Sequence, residues 1–337
     1  MKKLLLAFAA GAGLGAAAMA ADICVIPEGR ESGLTITYDD GAHTHYTHAL
    51  PTHVKHKVPG TFIIITDRVE DDADPARPKK YVSWNELKEM QDKGMEIATH
   101  TKSHRNMRDI ESKGITKEMT KGKSRQEVFA MREKNYPELL AEVADSVKAL
   151  TDHGLEQPRT IAFAGNACPD WTWRLIGDTC PMALRRPNLA TGRGDTPARY
   201  DKALAEKLKP GQIVVAMVHG LGTKTPDDGW NPPDDFATYE HLIQKAGELH
   251  ASGKVYVGKH GDLMRYHERA KGCRLKDNKD GTFTIVTANG KTPQGPAWEL
   301  WLRAAPGEKI KVNGKDAAPD ERGVFTARLG DVLTITK

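Results

Sequence analysis

Five side chains that could bind a metal or move protons stand directly after strand-like segments of the sequence. They are Asp39, Asp40, His100, His104 and His219. Each of them alone is equally well explained as a helix cap or a solvated surface group. Because the carboxyl ends of the strands in a βα barrel converge on one rim, such groups after three separate strands indicate a shared site.

A carboxylate and two imidazoles supply three ligands for Zn²⁺ or a similar divalent ion and leave positions open for water and substrate. His100 and His104 are four residues apart, a spacing that places both imidazoles on one side of a helical turn. Such a metal polarises a carbonyl and generates hydroxide near neutral pH. A second carboxylate beside the ligand could act as base on the water, and His219 could protonate a leaving group.

The segments that must position these groups alternate between strand and helix patterns. Strand-like runs lie at 34–38, 60–65, 95–98, 160–163, 182–184, 213–218 and 255–257. A capping box from Ser83 to Glu86 opens one of the intervening helices. The Lys-rich stretch 105–126 has no clear period and is expected to be an exposed insertion. This alternation favours an α/β fold built on a parallel sheet or barrel.

After Gly272 the pattern changes to short alternating segments separated by Gly, Asn and Asp turns, which is typical of a small β-sandwich. The sequence therefore predicts three regions. They are a signal peptide at 1–20, a barrel domain at 21–271 and a small, sandwich-like all-β domain at 272–337.

Composition excludes several classes of protein. The 337 residues carry 49 Lys+Arg against 45 Asp+Glu, a formal net charge of +4 that gives no nucleic-acid footprint. A hydrophobic content of 39% excludes a largely disordered chain. Lys2 and Lys3, an apolar run at 4–18 and a small-x-small site at 18–20 predict a secretory signal, hence a secreted or periplasmic protein. No later segment is apolar enough to span a membrane, so no stable membrane insertion is expected after signal removal.

Several motifs resemble those of the polysaccharide deacetylases, the NodB-homology or family 4 carbohydrate esterases. Thr37-Tyr38-Asp39-Asp40-Gly41 is similar to their first motif, and His100-Thr101-Lys102-Ser103-His104 to their second, His-Ser/Thr-x-x-His. Val218-His219-Gly220 resembles the late histidine motif. The resemblance extends over roughly residues 30 to 270 and implies a distorted (β/α) barrel deacetylase domain. It also implies that Asp39 is the catalytic base, that Asp40, His100 and His104 bind the metal, and that His219 is the catalytic acid.

The third motif departs from the family pattern. The family has an Arg there that orients the base, whereas Phe163-Ala164-Gly165-Asn166-Ala167-Cys168-Pro169 contains none. Some relatives carry the Arg on the next strand, which implies that Arg185 or Arg186 takes this role. We assign it to Arg185, with Arg186 as the alternative.

The thirteen histidines are unevenly distributed, and five of them lie between His43 and His56. His43 and His45 are close enough to the first motif to reach the rim of the site, where His43 is expected to contact substrate. The others in this cluster are expected on the exposed side of a helix. Trp230 is a second expected substrate contact, since a tryptophan on a loop can stack on a sugar ring; Trp171 and Trp173 are similar candidates.

The expected function is therefore a metal-dependent hydrolase, with zinc as the first-choice metal, that removes acetyl groups from N- or O-acetylated oligo- or polysaccharide. Two alternatives stay open. One is a metal-independent hydrolase of cyclic amides on the same barrel, and the other is a catalytically silent carbohydrate-binding protein.

Overall fold

The computed structural model describes residues 21–71, 79–132, 134, 136–168, 182–290 and 298–336. These residues form two compact units, Val25–Arg269 and a second unit that combines residues 21–24 with Ala270 onward. The predicted signal peptide at 1–20, Trp171 and Trp173 lie outside the described residues.

Sixteen strands occur in the described chain. In order, they are β1 (Ala21–Ile23), β2 (Ser32–Asp40), β3 (Thr61–Ile64), β4 (Glu96–Thr99), β5 (Thr160–Ile161), β6 (Ala183–Leu184), β7 (Leu189–Ala190), β8 (Ile213–Val218), β9 (Val255–Val257), β10 (Cys273–Asp277), β11 (Thr282–Thr287), β12 (Glu299–Ala304), β13 (Lys309–Val312), β14 (Lys315–Asp316), β15 (Val324–Arg328) and β16 (Val332–Thr336). The described α-helices are α1 (Leu50–His56), α2 (Trp84–Asp92), α3 (Met107–Glu111), α4 (Lys117–Thr120), α5 (Arg125–Arg132), α6 (Tyr136–Asp152), α7 (Pro197–Lys207), α8 (Phe236–Ala251) and α9 (His260–Lys271).

The first unit is built on a curled parallel sheet with the strand order β6-β5-β4-β3-β2-β8-β7, and β9 also pairs with β2. Every pairing in this sheet is parallel. Parallel strands bring their carboxyl ends to one edge, which is where α/β folds place their sites. The predicted α/β barrel-type fold is confirmed, in the form of a half-barrel flanked by helices.

Strand β2 is the centre of this unit, and its residues 32–39 are all buried. Tyr38 donates to His53 Nε2 at 2.6 Å and lies 2.8 Å from the hydroxyl of Tyr239. His53 Nδ1 donates to the carbonyl of Val58 at 2.7 Å. The prediction that His53 lies on an exposed helix face is therefore wrong, because the imidazole satisfies both nitrogens inside the core.

The stretch 105–126 is only partly the exposed insertion that its composition suggested. Residues 117–119 and 121–127 are exposed or half-buried, but Met107 and Ile110 of α3 are fully buried against Leu139 and Val143 of α6. Two apolar residues three apart lie on the same face of a helix, which is enough to pack a helix of one and a half turns against the core. Because the neighbouring residues are mostly charged, so short an apolar pattern is not recognisable in the sequence.

Local signals elsewhere agree with the structure. The capping box is present at α2, where Glu86 accepts from the backbone N–H of Ser83 at 2.8 Å.

The second unit is all-β, as predicted, with the antiparallel sheets β1-β12-β15 and β10-β11-β16-β13-β14. Strand β1 pairs with β12, so this unit contains residues from both ends of the described chain. None of the described helices has the length and apolar character needed to cross a bilayer.

Candidate metal and catalytic site

The predicted site residues meet at the carboxyl edge of the parallel sheet. Asp39 and Asp40 end β2, His100 directly follows β4, Arg185 follows β6 and His219 follows β8. The register of the parallel pairs, with Asp40 beside Ile64 and Ile64 beside Thr99, aligns these strand ends. The convergence thus follows from strand order and parallel pairing.

Asp40, His100 and His104 form a cluster suited to a divalent metal. His100 Nε2 lies 3.7 Å and His104 Nε2 lies 3.6 Å from Asp40 Oδ1. One ligand atom of each residue lies within 4.8 Å of the others. Asp40 Oδ1 is buried and accepts no hydrogen bond from the described residues. Since a buried carboxylate oxygen without a partner is costly, the donor set fits a bound cation.

The orientation of His100 is set by a backbone acceptor. Its Nδ1 donates to the carbonyl of Ala162 at 3.0 Å, so the lone pair of Nε2 points toward Asp40. Burial lowers the pKa of His100 below its ordinary value, and burial with the charge of His100 lowers the pKa of His104. Both imidazoles are therefore neutral near pH 7, the form that binds a metal.

His100 and His104 are not on a helical turn, so the predicted reason for their proximity is wrong. The segment is a loop in which Thr101 and His104 have positive φ values of 66° and 61°. Glu142 of α6 holds this loop, because it accepts from Ser103 Oγ at 2.6 Å and from the Ser103 backbone N–H at 3.0 Å. The two rings meet with centroids 4.5 Å apart through these tertiary contacts.

Arg185 forms a buried ion pair with Asp39 Oδ2. Its Nη1 also donates to Asn166 Oδ1 at 2.9 Å, so the segment that lacks the family's Arg supplies an acceptor for this one. Burial would raise the pKa of Asp39, but the charges of Arg185, His100 and His219 outweigh it and hold that pKa below its ordinary value. Arg186 is exposed, so of the two candidates it is Arg185 that contacts the carboxylate.

His219 also lies close to Asp39, with Nε2 at 3.7 Å from the same oxygen, Oδ2, that Arg185 contacts. Its carbonyl accepts a 2.6 Å hydrogen bond from His45 Nε2. His45 is completely buried, so it lies beneath the rim and not on it as expected. Trp230 is 65% exposed and packs edge-on against the His219 ring with centroids 5.1 Å apart. Gly229, at φ 80°, allows this approach, since a Cβ there would lie 2.9 Å from the His219 carbonyl oxygen.

His43 lies between two carboxylates, those of Glu86 and Asp227. Its Nε2 is 3.3 Å from Glu86 Oε1 and its Nδ1 is 3.4 Å from Asp227 Oδ2. The hydrogen bond to Glu86 outweighs burial and raises the pKa of His43. Both ring nitrogens are thereby engaged within the protein, and the ring links α2 to the loop that carries Trp230.

Two positioning residues of the site were not predicted. His45 supports the backbone of His219, and Glu142 supports the loop of His104. A signal for Glu142 was present, because it follows Leu139 by three residues and so lies on the apolar stripe of α6. A carboxylate in such a stripe indicates a buried partner.

A curled parallel sheet with an Asp-His-His cluster and an ionised, buried carboxylate at its carboxyl edge is an arrangement suited to hydrolysis. Residues 27–178 match the family model "Polysaccharide deacetylase". This match confirms the resemblance of the chain's motifs to those of the polysaccharide deacetylases. Asp39, Asp40, His100 and His104 lie inside the matched segment, whereas Arg185 and His219 lie beyond it.

Solved structures of family members are similar to this chain at low identity. A family 4 carbohydrate esterase from Streptomyces lividans in complex with acetate is 13% identical, with 68% of this chain and 93% of that chain covered and a TM-score of 0.45. The peptidoglycan deacetylase PdaC from Bacillus subtilis is 13% identical, with coverages of 72% and 94% and a TM-score of 0.42. A family 4 carbohydrate esterase from Bacillus anthracis is 14% identical, with coverages of 73% and 87% and a TM-score of 0.43. No curated protein sequence matches the chain.

Proposed function

We propose that the protein is a metal-dependent deacetylase of acetylated carbohydrate, with zinc as its metal. The observation that carries this proposal is the pairing of two buried carboxylate oxygens without protein partners among the described residues. Asp40 Oδ1 faces the two imidazoles, and Asp39 Oδ1 stands beside them on the same strand end. The first is suited to a cation and the second to a proton.

Asp40, His100 and His104 would hold the metal, which when bound polarises an acetyl carbonyl and lowers the pKa of water. Asp39 takes the proton of the attacking water on Oδ1, because Oδ2 is occupied by Arg185. Arg185 keeps the carboxylate ionised and in one orientation. His219 Nε2, 3.7 Å from Asp39 Oδ2 and in contact with the exposed Trp230 ring, donates a proton to the departing amine or hydroxyl.

Two substitutions test this assignment. Asp39→Asn should retain bound zinc but release no acetate from acetylated oligosaccharides, because the base is lost while the ligands remain. His100→Ala should lose both zinc and activity. The measurements are zinc content by atomic absorption and acetate release, with Asp152→Asn on the exposed end of α6 as the control. Turnover retained by both site variants, or activity that survives a chelator in the wild-type protein, would refute the proposal.

We also propose export of the mature protein, supported by the basic, apolar and small-residue pattern of residues 1–20. Expression with the full leader followed by N-terminal sequencing tests this point. The expected result is a mature chain beginning near Ala21 in the periplasm or the medium. An uncleaved chain that stays in the cytoplasm would contradict it.

A further inference from the structure

A groove of about 330 Å³ starts at Asp40 and runs across the carboxyl edge of the sheet. Arg68, Lys80, Tyr81, Asp227 and Trp230 are among the residues that line it. A volume of this order is in the range of small-ligand sites. A ligand in this groove would therefore meet two cations and an exposed aromatic ring.

The two cations share Tyr81 and have no acidic partner among the residues that the structure describes. Arg68 Cζ and Lys80 Nζ each lie 5.5 Å from the centroid of the Tyr81 ring. The neighbouring Lys79 is different, because its Nζ contacts Glu86 Oε1 at 2.9 Å and Ser83 Oγ at 3.1 Å. Lys79 is thus paired, whereas no described carboxylate forms an ion pair with Arg68 or Lys80, and the nearby Glu70 carboxylate binds backbone N–H groups instead.

The acidic groups of the groove, in contrast, are already engaged. Asp227 faces His43 Nδ1 at 3.4 Å, and Asp40 belongs to the metal-ligand cluster. With Asp40 assigned to the cation and Asp227 to an imidazole of raised pKa, two positive charges face the groove without compensation. A half-buried guanidinium that is not paired is a strong site for a carboxylate, which it can bind with two parallel hydrogen bonds.

The backbone of residues 80–81 is bound to the chain segment that follows Asp40 and to Glu70. The N–H of His43 donates to the carbonyl of Lys80 at 3.0 Å, and Tyr81 pairs with Ala42 in an antiparallel bridge. Glu70 Oε1 accepts from the backbone N–H groups of Lys80 and Tyr81 at 2.6 and 2.8 Å. Residues 80–81 are therefore tied directly to the chain that leaves Asp40, and the charges are preorganised for a ligand.

We infer that Arg68 and Lys80 form a subsite for an acidic group, so that the preferred substrate is an acetylated glycan that carries a carboxylate close to the acetylated sugar. This inference rests on the proposed function and specifies its substrate class. Trp230 would support the apolar face of the sugar ring, while the carboxylate contacts Arg68.

The test compares one oligosaccharide in two charge states. An oligomer of alternating N-acetylhexosamine and hexuronate is the anionic substrate, and its carboxyl methyl ester is the neutral one. The wild-type ratio of kcat/KM, anionic over neutral, should exceed one and fall as salt is added. Arg68→Gln and Lys80→Gln should each lower this ratio by about fivefold, through KM for the anionic oligomer. Lys202→Gln, on the exposed face of α7, is the control and should leave the ratio unchanged.

Binding separates this inference from the proposed function. Calorimetry of both oligomers with Asp39→Asn protein reports recognition without turnover. Tighter binding of the anionic oligomer that is lost in Asp39→Asn/Arg68→Gln supports the subsite even if no acetate is ever released. The inference would be overturned if the two oligomers bound equally well or if neither bound. It would also be overturned if the Arg68 and Lys80 variants lost the same affinity for both oligomers. A preference for a sulfated but not a carboxylated oligomer would also overturn it.

Discussion

Arg185 and Asp39 form a buried ion pair across the carboxyl edge of the sheet, 146 residues apart in the chain. The guanidinium occupies Oδ2 and leaves Oδ1 without a protein partner among the described residues. In this way one residue both lowers the pKa of Asp39 and determines which of its oxygens remains available for the proposed proton transfer. The relationship explains how the site works although the usual segment for this Arg contains none.

Arg185→Gln should lower kcat by about 100-fold with zinc still bound. Burial would then dominate and raise the pKa of Asp39, so the acidic limb of the kcat/KM profile should move to higher pH. Rate profiles between pH 5 and 9 measure this shift. Arg186→Gln removes an exposed neighbour of the same type and should behave as the wild type. An unchanged profile in Arg185→Gln would show that this ion pair does not tune the base.

Glu142→Gln should weaken zinc binding by about tenfold without unfolding the protein. The carboxylate holds both the N–H and the hydroxyl of Ser103, so its loss frees the loop that carries His104. Competition with a metal indicator measures the affinity. Asp152→Asn, at the exposed end of the same helix and away from this loop, is the control. Equal zinc affinity in wild type and Glu142→Gln would contradict a role in positioning His104.

Acid should destabilise the protein through His53. Burial lowers the pKa of His53 from 6.5 to about 4, so below pH 6.5 the unfolded chain binds a proton that the folded protein does not. The stability contributed by the neutral ring is complete above pH 6.5 and is lost as the pH falls toward 4, by about 3 kcal/mol in total.

Urea unfolding at pH 7.5, 6 and 5 measures this effect. His53→Gln should be less stable than the wild type at pH 7.5, and the difference should shrink at pH 5. His48→Gln, one turn earlier in the chain, is the control. The pH dependence of its free energy of unfolding should be the same as that of the wild type. A constant difference between His53→Gln and wild type at all three pH values would disprove the account.

Trp230→Ala should raise KM for acetylated oligosaccharides by about tenfold and leave kcat within a factor of about three. The ring is 65% exposed, so its removal opens no cavity and should not change the melting temperature. Trp230→Phe retains an aromatic face and should restore most of the affinity. Trp84→Ala, whose ring stacks on His153 away from the groove, is the control. A kcat defect without a KM defect would instead assign Trp230 to positioning His219.

Much of the site could be predicted because its ligands are encoded in short, contiguous motifs. Asp39 and Asp40 end an alternating strand, and His100 and His104 follow another, so local sequence indicated both the residue types and the edge of the sheet. The fold class followed from the alternation of strands and helices. The helix α3 was missed because its apolar pattern has only two members, Met107 and Ile110.

The amino-acid sequence by itself determined the residue types of the Asp-His-His cluster, the parallel α/β architecture and the all-β character of the region after Gly272, because these depend on local periodicity and strand order. Tertiary structure alone decided which of Arg185 and Arg186 reaches Asp39. It also decided that Glu142 shapes the loop of His104 and that Arg68 and Lys80 flank Tyr81 beside the groove. The physical reason is that the contacts of Arg68 with Tyr81, Glu142 with Ser103 and Arg185 with Asp39 join residues 13, 39 and 146 positions apart. Only the packing of whole strands and helices brings such residues within hydrogen-bonding distance or ring contact.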